Sequence, residues 1–135
     1  MLLALLASPP SAAAQQDRGA EAAREQAFIE NLRREDPASA DRFIALREAQ
    51  QKAIAELRRK EGQVNAMPPE LRGSMLPQLK QAQRNYVDSQ LKILDFLDDR
   101  DRRLIARLQE DIVQLNRALE DRRRSREELR KLLAD

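Results

Sequence analysis

The chain has no cysteine, no histidine, no tryptophan and no threonine. Each of the first two gaps removes a class of chemistry. Without cysteine there is no disulfide, no thiolate nucleophile and no iron–sulfur ligand. Without histidine the chain lacks the commonest general base and the commonest transition-metal ligand. Six serines remain, but no imidazole can activate them, and no loop-borne Ser–Lys arrangement takes its place. No glycine-rich phosphate loop occurs. Glycine is scarce at three residues, as are the residues that favour strands: six Ile, three Val, three Phe and one Tyr. These absences imply a protein with no enzymatic reaction, no resident cofactor, no metal centre and no sheet. The missing cysteines do not assign a compartment, because an exported helical protein needs no disulfide.

What is present is helix-forming. Arg, Glu, Gln, Ala, Leu and Asp dominate the 135 residues, and all but Asp are strong helix formers. Charged residues make up 36%, yet the net charge is only +2, so opposite signs are interleaved as on a solvated helix surface. Leu, Ile, Val, Phe and Met form about a quarter of the chain after residue 14, above the usual range for disorder. The excess of Arg over Lys, twenty to five, fits the codon bias of a GC-rich genome.

The first fourteen residues stand apart. Residues 1–7 read MLLALLA, a Ser-Pro-Pro-Ser break follows, and Ala12-Ala13-Ala14 precedes Gln15. A short apolar run followed by a small-residue site resembles a secretory signal peptide cleaved after Ala14, although a basic start is missing. The run is too short to span a membrane. No cysteine follows it, so no lipid anchor is expected. The expected location is therefore periplasmic or secreted. The alternative is an intracellular protein on which residues 1–14 are a disordered apolar end.

The rest divides at its prolines and glycines. Residues 15–36 are Ala-rich and polar, with Phe28, Ile29 and Leu32 as the large apolar group, and are expected to be partly helical from about Ala20. Asp36-Pro37 predicts a new helix, with Asp36 as the cap and Pro37 at the first position, where no N–H is needed. That helix is expected to end at Glu61 before Gly62, with residues 64–74 forming a turn around Pro68-Pro69. Ser74 is the expected cap of a last helix with Pro77 in its first turn. From Gln78 to Asp135 there is neither glycine nor proline. A helix of that length extends roughly 85 Å at 1.5 Å per residue.

Apolar residues recur at steps of three and four in both long segments. Folding the chain at Pro69 sets residues whose numbers sum to about 139 opposite one another, in the manner of an antiparallel coiled coil. Phe43 then meets Phe96, Leu46 meets Ile93, Ala53 meets Tyr86 and Leu57 meets Ala82. Gln50 falls beside Ser89 and Gln90, where a polar layer can hydrogen-bond across the seam. The expected fold is all-α: an antiparallel helical hairpin, about 38–66 against 74–100, extended by a long C-terminal coiled-coil helix to 135. Near Leu108 the spacing takes an extra step of four, a stutter that relaxes a left-handed supercoil.

Beyond residue 100 the last helix outruns its partner. Leu104, Leu108, Ile112, Leu115 and Leu119 then need cover, since burying each stabilises by about 1.5–3 kcal/mol. Either the 28–32 apolar group folds onto them or a second copy does. Self-association, most simply as a dimer, is the expected answer.

Two charged groups invite a functional reading. Asp95, Asp98, Asp99 and Asp101 include the run DFLDD, similar to the aspartate-rich magnesium motifs of helical prenyl-transferring enzymes. A second such motif and a large bundle are both missing, and Asp98–Arg102 and Asp99–Arg103 are ordinary i,i+4 pairs. Downstream, Arg122, Arg123, Arg126 and Arg130 lie in RRRSREELRK. Three of them repeat every four residues and place like charges along one face. They either lay their stems on the seam and reach water or meet an anionic partner in the envelope. For an intracellular protein that partner is nucleic acid, although no aromatic interleaving or nucleic-acid motif accompanies it. A small basic helical exported protein is similar in outline to the Spy-type envelope-stress chaperones. That likeness implies a non-enzymatic binding role, but it extends only to size, compartment and helicity. The LTxxQ repeats of that family need threonine, and this chain has none.

Overall fold

A computed structural model describes residues 12–134. Helix α1 spans Ala12–Glu35, α2 spans Pro37–Ala66, a 3₁₀ helix spans Pro69–Met75, and α3 spans Leu76–Ala134. No strand occurs among the described residues. The chain divides into two units that part between Gln90 and Leu91.

In the first unit, a single residue joins α1 to α2. Asp36 adopts an extended backbone, and its carboxylate accepts from Ala38 N at 3.2 Å and from Ser39 Oγ at 2.8 Å. Pro37 occupies the first helical turn, as expected of a residue without an N–H. The Asp36 amide closes α1 by donating to Leu32 O at 2.7 Å. So short a joint turns the chain back at once, and α1 packs along α2. The Phe28 ring meets Phe43 edge to face, with centroids 5.0 Å apart. Such a pair contributes about 0.5–1.5 kcal/mol beyond its area. Leu32 is the most deeply enclosed large side chain, 2% exposed, and Phe43 is 5% exposed. The N-terminal apolar group thus packs on α2, and α1 is helical from Ala12 rather than from Ala20. The three alanines of the expected cleavage site form its first turn. The apolar run of residues 1–7 lies outside the described residues.

Helix α2 passes through Gly62 and ends four residues later. No glycine has positive φ, so the left-handed terminator that the sequence suggested at Gly62 does not form. The stop comes from Pro68 and Pro69. Each forces its predecessor out of the helical region, and Met67 and Pro68 are both extended, with ψ of 149° and 143°. Arg72 Nε donates to Met67 O at 3.1 Å across this turn. Ser74 does not cap α3. Its hydroxyl bonds back to Leu71 O at 2.7 Å inside the 3₁₀ helix, and α3 begins at Leu76 with Pro77 in its first turn.

The hairpin between α2 and the start of α3 forms in the expected register. Gln50 donates to Gln90 Oε1 across the seam. Lys60 Nζ donates to Gln78 Oε1 at 2.8 Å. Both pairs lie within one residue of the register implied by folding at Pro69. Ala82 and Ser89 are buried, and Ala53, Leu57 and Tyr86 are half-buried. The Gln50 layer extends further than the hairpin. Arg47 donates to Gln50 and makes a two-pronged contact with Glu25, at 2.6 and 3.0 Å. A chain Glu25–Arg47–Gln50–Gln90 therefore links α1, α2 and α3. The Arg47 guanidinium hydrogen bond lowers the Glu25 pKa from its ordinary value, and Glu25 in turn raises that of Arg47. Gln50 is 6% exposed, so its amide is a buried polar group with both ends satisfied.

The second unit is the remainder of α3. Ile93 and Phe96 are buried. From Asp101 to Ala134 every residue is exposed except the half-buried Ala118 and Glu120.

Candidate self-association surface and arginine stripe

Residues 91–134 are helical because their composition allows little else. Leu, Arg, Glu, Asp and Gln fill nearly every position, and none breaks a helix. Ion pairs three and four residues apart support this exposed stretch. Arg102 pairs with Asp99 at 3.5 Å, Arg123 with Glu120 at 2.6 Å and with Glu127 at 2.7 Å, and Arg124 with Glu120 at 3.4 Å. Glu120 carries the heaviest load. The Arg123 hydrogen bond, with further help from the Arg123 and Arg124 charges, holds its pKa down to about 2. Arg123 is raised correspondingly.

The five apolar residues singled out in the sequence lie on this helix at helical spacing. Leu104, Leu108, Ile112, Leu115 and Leu119 are between 39% and 64% exposed. A free-standing helix exposes side chains to about this degree, so the stripe has no cover from the described residues. Ile105 and Val113 are exposed beside it, at 54% and 42%. A contiguous apolar stripe of this kind marks an interaction surface far more often than an isolated exposed leucine does. A shallow groove lined by Val113, Asn116, Arg117, Glu120, Asp121 and Arg124 lies open on the same helix.

The four arginines of the downstream stripe differ in their surroundings. Arg123 is engaged by Glu120 and Glu127. Arg122, Arg126 and Arg130 make no ion pair among the described residues. These three share one face, and Arg123 points elsewhere. The helical period brings that out, since residues four apart nearly align while a neighbour is turned by about 100°.

The aspartate group around residue 98 spreads round the helix. Asp99 pairs with Arg102 and Asp101 lies 3.6 Å from Arg100. Among the described residues no three carboxylates converge as a metal ion would require. No helix among them is long and apolar enough to cross a membrane. No protein family, curated protein or solved structure matches this chain.

Proposed function

We propose that the protein is a non-enzymatic, exported coiled-coil protein that self-associates through the C-terminal part of α3 and serves as a scaffold, adaptor or chaperone-like binder. The observation that carries this reading is the exposed stripe Leu104–Leu119, whose members are 39–64% exposed on a helix that continues to Ala134. Covering such a stripe with a second helix stabilises both, by about 25 cal/mol for each Å² of apolar surface removed from water. Export rests on the apolar start and the Ala12–Ala14 site, which the sequence alone supplies. Arg130, which makes no ion pair among the described residues, offers a cation to an anionic envelope partner.

Two measurements test this. N-terminal sequencing of protein from the native host should begin at Gln15; an intact Met1 in the cytosol removes the exported reading. Sedimentation of the full chain should give a dimer that Leu108→Glu with Ile112→Glu converts to monomer without unfolding α1 and α2. A wild-type monomer at every concentration removes the scaffold reading.

A further inference from the structure

The exposures on α3 define a longer and more regular seam than the leucines alone suggest. Starting at Leu91 and stepping by three and four in strict alternation, the positions run without interruption to Leu133. The repeat passes through Ile105, 54% exposed, and not through Leu104, 39% exposed. Read this way it has no stutter. The extra step of four arises only when the leucines are entered from the hairpin seam, which lies on a different face. At about 100° per residue, Leu91 and Leu94 stand on the far side of the helix from Ile93 and Phe96. Their burial agrees, since Leu91 and Leu94 are 52% and 47% exposed while Ile93 and Phe96 are 6% and 4%.

The order of residue types along this seam is symmetric. It reads two leucines, two aspartates, five apolar residues, two arginines and two leucines, centred on Ile112. The aspartates are Asp98 and Asp101; the arginines are Arg122 and Arg126. All four are exposed. Among the described residues Asp98, Arg122 and Arg126 have no ion-pair partner, and Asp101 has only the 3.6 Å contact with its neighbour Arg100. The charges flanking the seam, Glu120, Arg123 and Glu127, are paired within the helix.

We propose that the partner is a second copy of this chain running antiparallel, with Asp98 of each copy against Arg122 of the other. The proposal rests on the self-association described above and fixes its orientation and centre. A parallel pair in register would stack Asp98 on Asp98, Asp101 on Asp101, Arg122 on Arg122 and Arg126 on Arg126, four like-charge layers in one seam. Reversal sets Asp98 of each copy against Arg122 of the other, leaves no like-charge layer, and packs Ile105, Leu108, Ile112 and Leu115 against one another. Both arrangements bury the same leucines, so the charges decide between them. The dimer centre then falls between Leu108 and Ile112, where the usual antiparallel layers set one core position of the repeat against the other.

The chain has no native cysteine, so spin labels at single engineered cysteines read the orientation directly in the full-length protein. Glu110 and Arg124 both lie on the side of the helix away from the seam. In the antiparallel dimer, labels at 110 lie about two helix diameters apart, near 20 Å, and labels at 124 are separated by about 40 Å along the axis. Equal short distances at both sites overturn the antiparallel order while leaving self-association intact. No dipolar coupling at either site overturns both. A charge exchange supplies the second arm. Arg122→Asp should abolish the dimer, and adding Asp98→Arg to the same chain should restore it. Lack of restoration in a folded protein overturns the charge match.

Discussion

Residues 12–90 and residues 91–134 are built from the same few amino-acid types, yet they use their apolar residues in different ways. In the first unit Leu32, Ala40, Phe43 and Ala82 are buried, and one buried glutamine links three helices. In the second, after Phe96, a run of leucines and isoleucines at equally regular spacing lies open to solvent. The difference is not one of helix propensity or pattern. It comes from supply: α1 and α2 provide complementary faces for one another, and the last part of α3 has an apolar stripe whose complement the described residues do not provide. A regular stripe thus establishes that a partner is needed, and the residue types interrupting it indicate which partner.

That contrast can be broken first in the folded unit. Phe43→Ala removes a ring packed on Phe28 in a core with few large side chains, and should cost about 3–5 kcal/mol in a thermal or urea melt. Leu115→Ala, equally conservative on paper, should cost under about 0.5 kcal/mol in dilute protein. Its cost should grow as concentration rises and the seam fills. If Leu115→Ala destabilises fully at any dilution, the two regions do not differ as described.

The next effect is polar. Gln50→Ala removes the acceptor of Arg47 and the donor to Gln90 from a buried layer and should cost about 1–3 kcal/mol by urea titration. Loss of the same size from Gln114→Ala, an exposed amide bonded only to Glu110 at 3.4 Å, would show that burial is not what matters.

Gly62 gives a gain. It sits inside α2 with no positive φ, and an added Cβ meets nothing within 4 Å. Gly62→Ala should stabilise by about 0.5–1 kcal/mol and raise Tm. A loss would mean that the helix ends there after all.

The smallest effect is on acid sensitivity. Glu25 has a lowered pKa in the folded state, so its pair with Arg47 stabilises fully above the ordinary carboxylate pKa, and that contribution is lost as pH falls through the folded value. Both side chains are about a third exposed, which limits the pair to about 0.2–1 kcal/mol. Melts at neutral pH and near pH 3 should therefore differ slightly less in Glu25→Gln than in the wild type. The Glu120 carboxylate, held near 2, retains its charge at that lower pH and contributes to helicity of the second unit there, in contrast to Glu25.

Much of this architecture is legible in the chain. Asp36-Pro37 is a complete start signal, because one side chain accepts the orphan N–H and the next residue lacks one. Pro68-Pro69 is an equally complete stop. The hairpin register follows once the fold point is known, since Gln50 has few places to satisfy a buried amide other than beside Ser89 and Gln90. Gly62 misleads because glycine ends a helix only where the chain must turn left-handed, and that demand comes from the tertiary path. The docking of α1 on α2 is not legible in the sequence. Its only apolar residues of size, Phe28, Ile29 and Leu32, fit either long helix, and it is the one-residue joint at Asp36 that selects α2. The seam of residues 91–133 was only half visible. Leu104 and Ile105 are adjacent in sequence and both apolar, so spacing alone admits either, and exposure separates them.

Amide hydrogen exchange over residues 104–119 of the full chain, followed across protein concentration, tests the central claim most directly. If a second copy covers the stripe, protection there should be weak in dilute protein and should rise with concentration, while protection around Gln50 stays constant. Exchange over 104–119 that is independent of concentration would contradict the account and leave the stripe a solvated helix face.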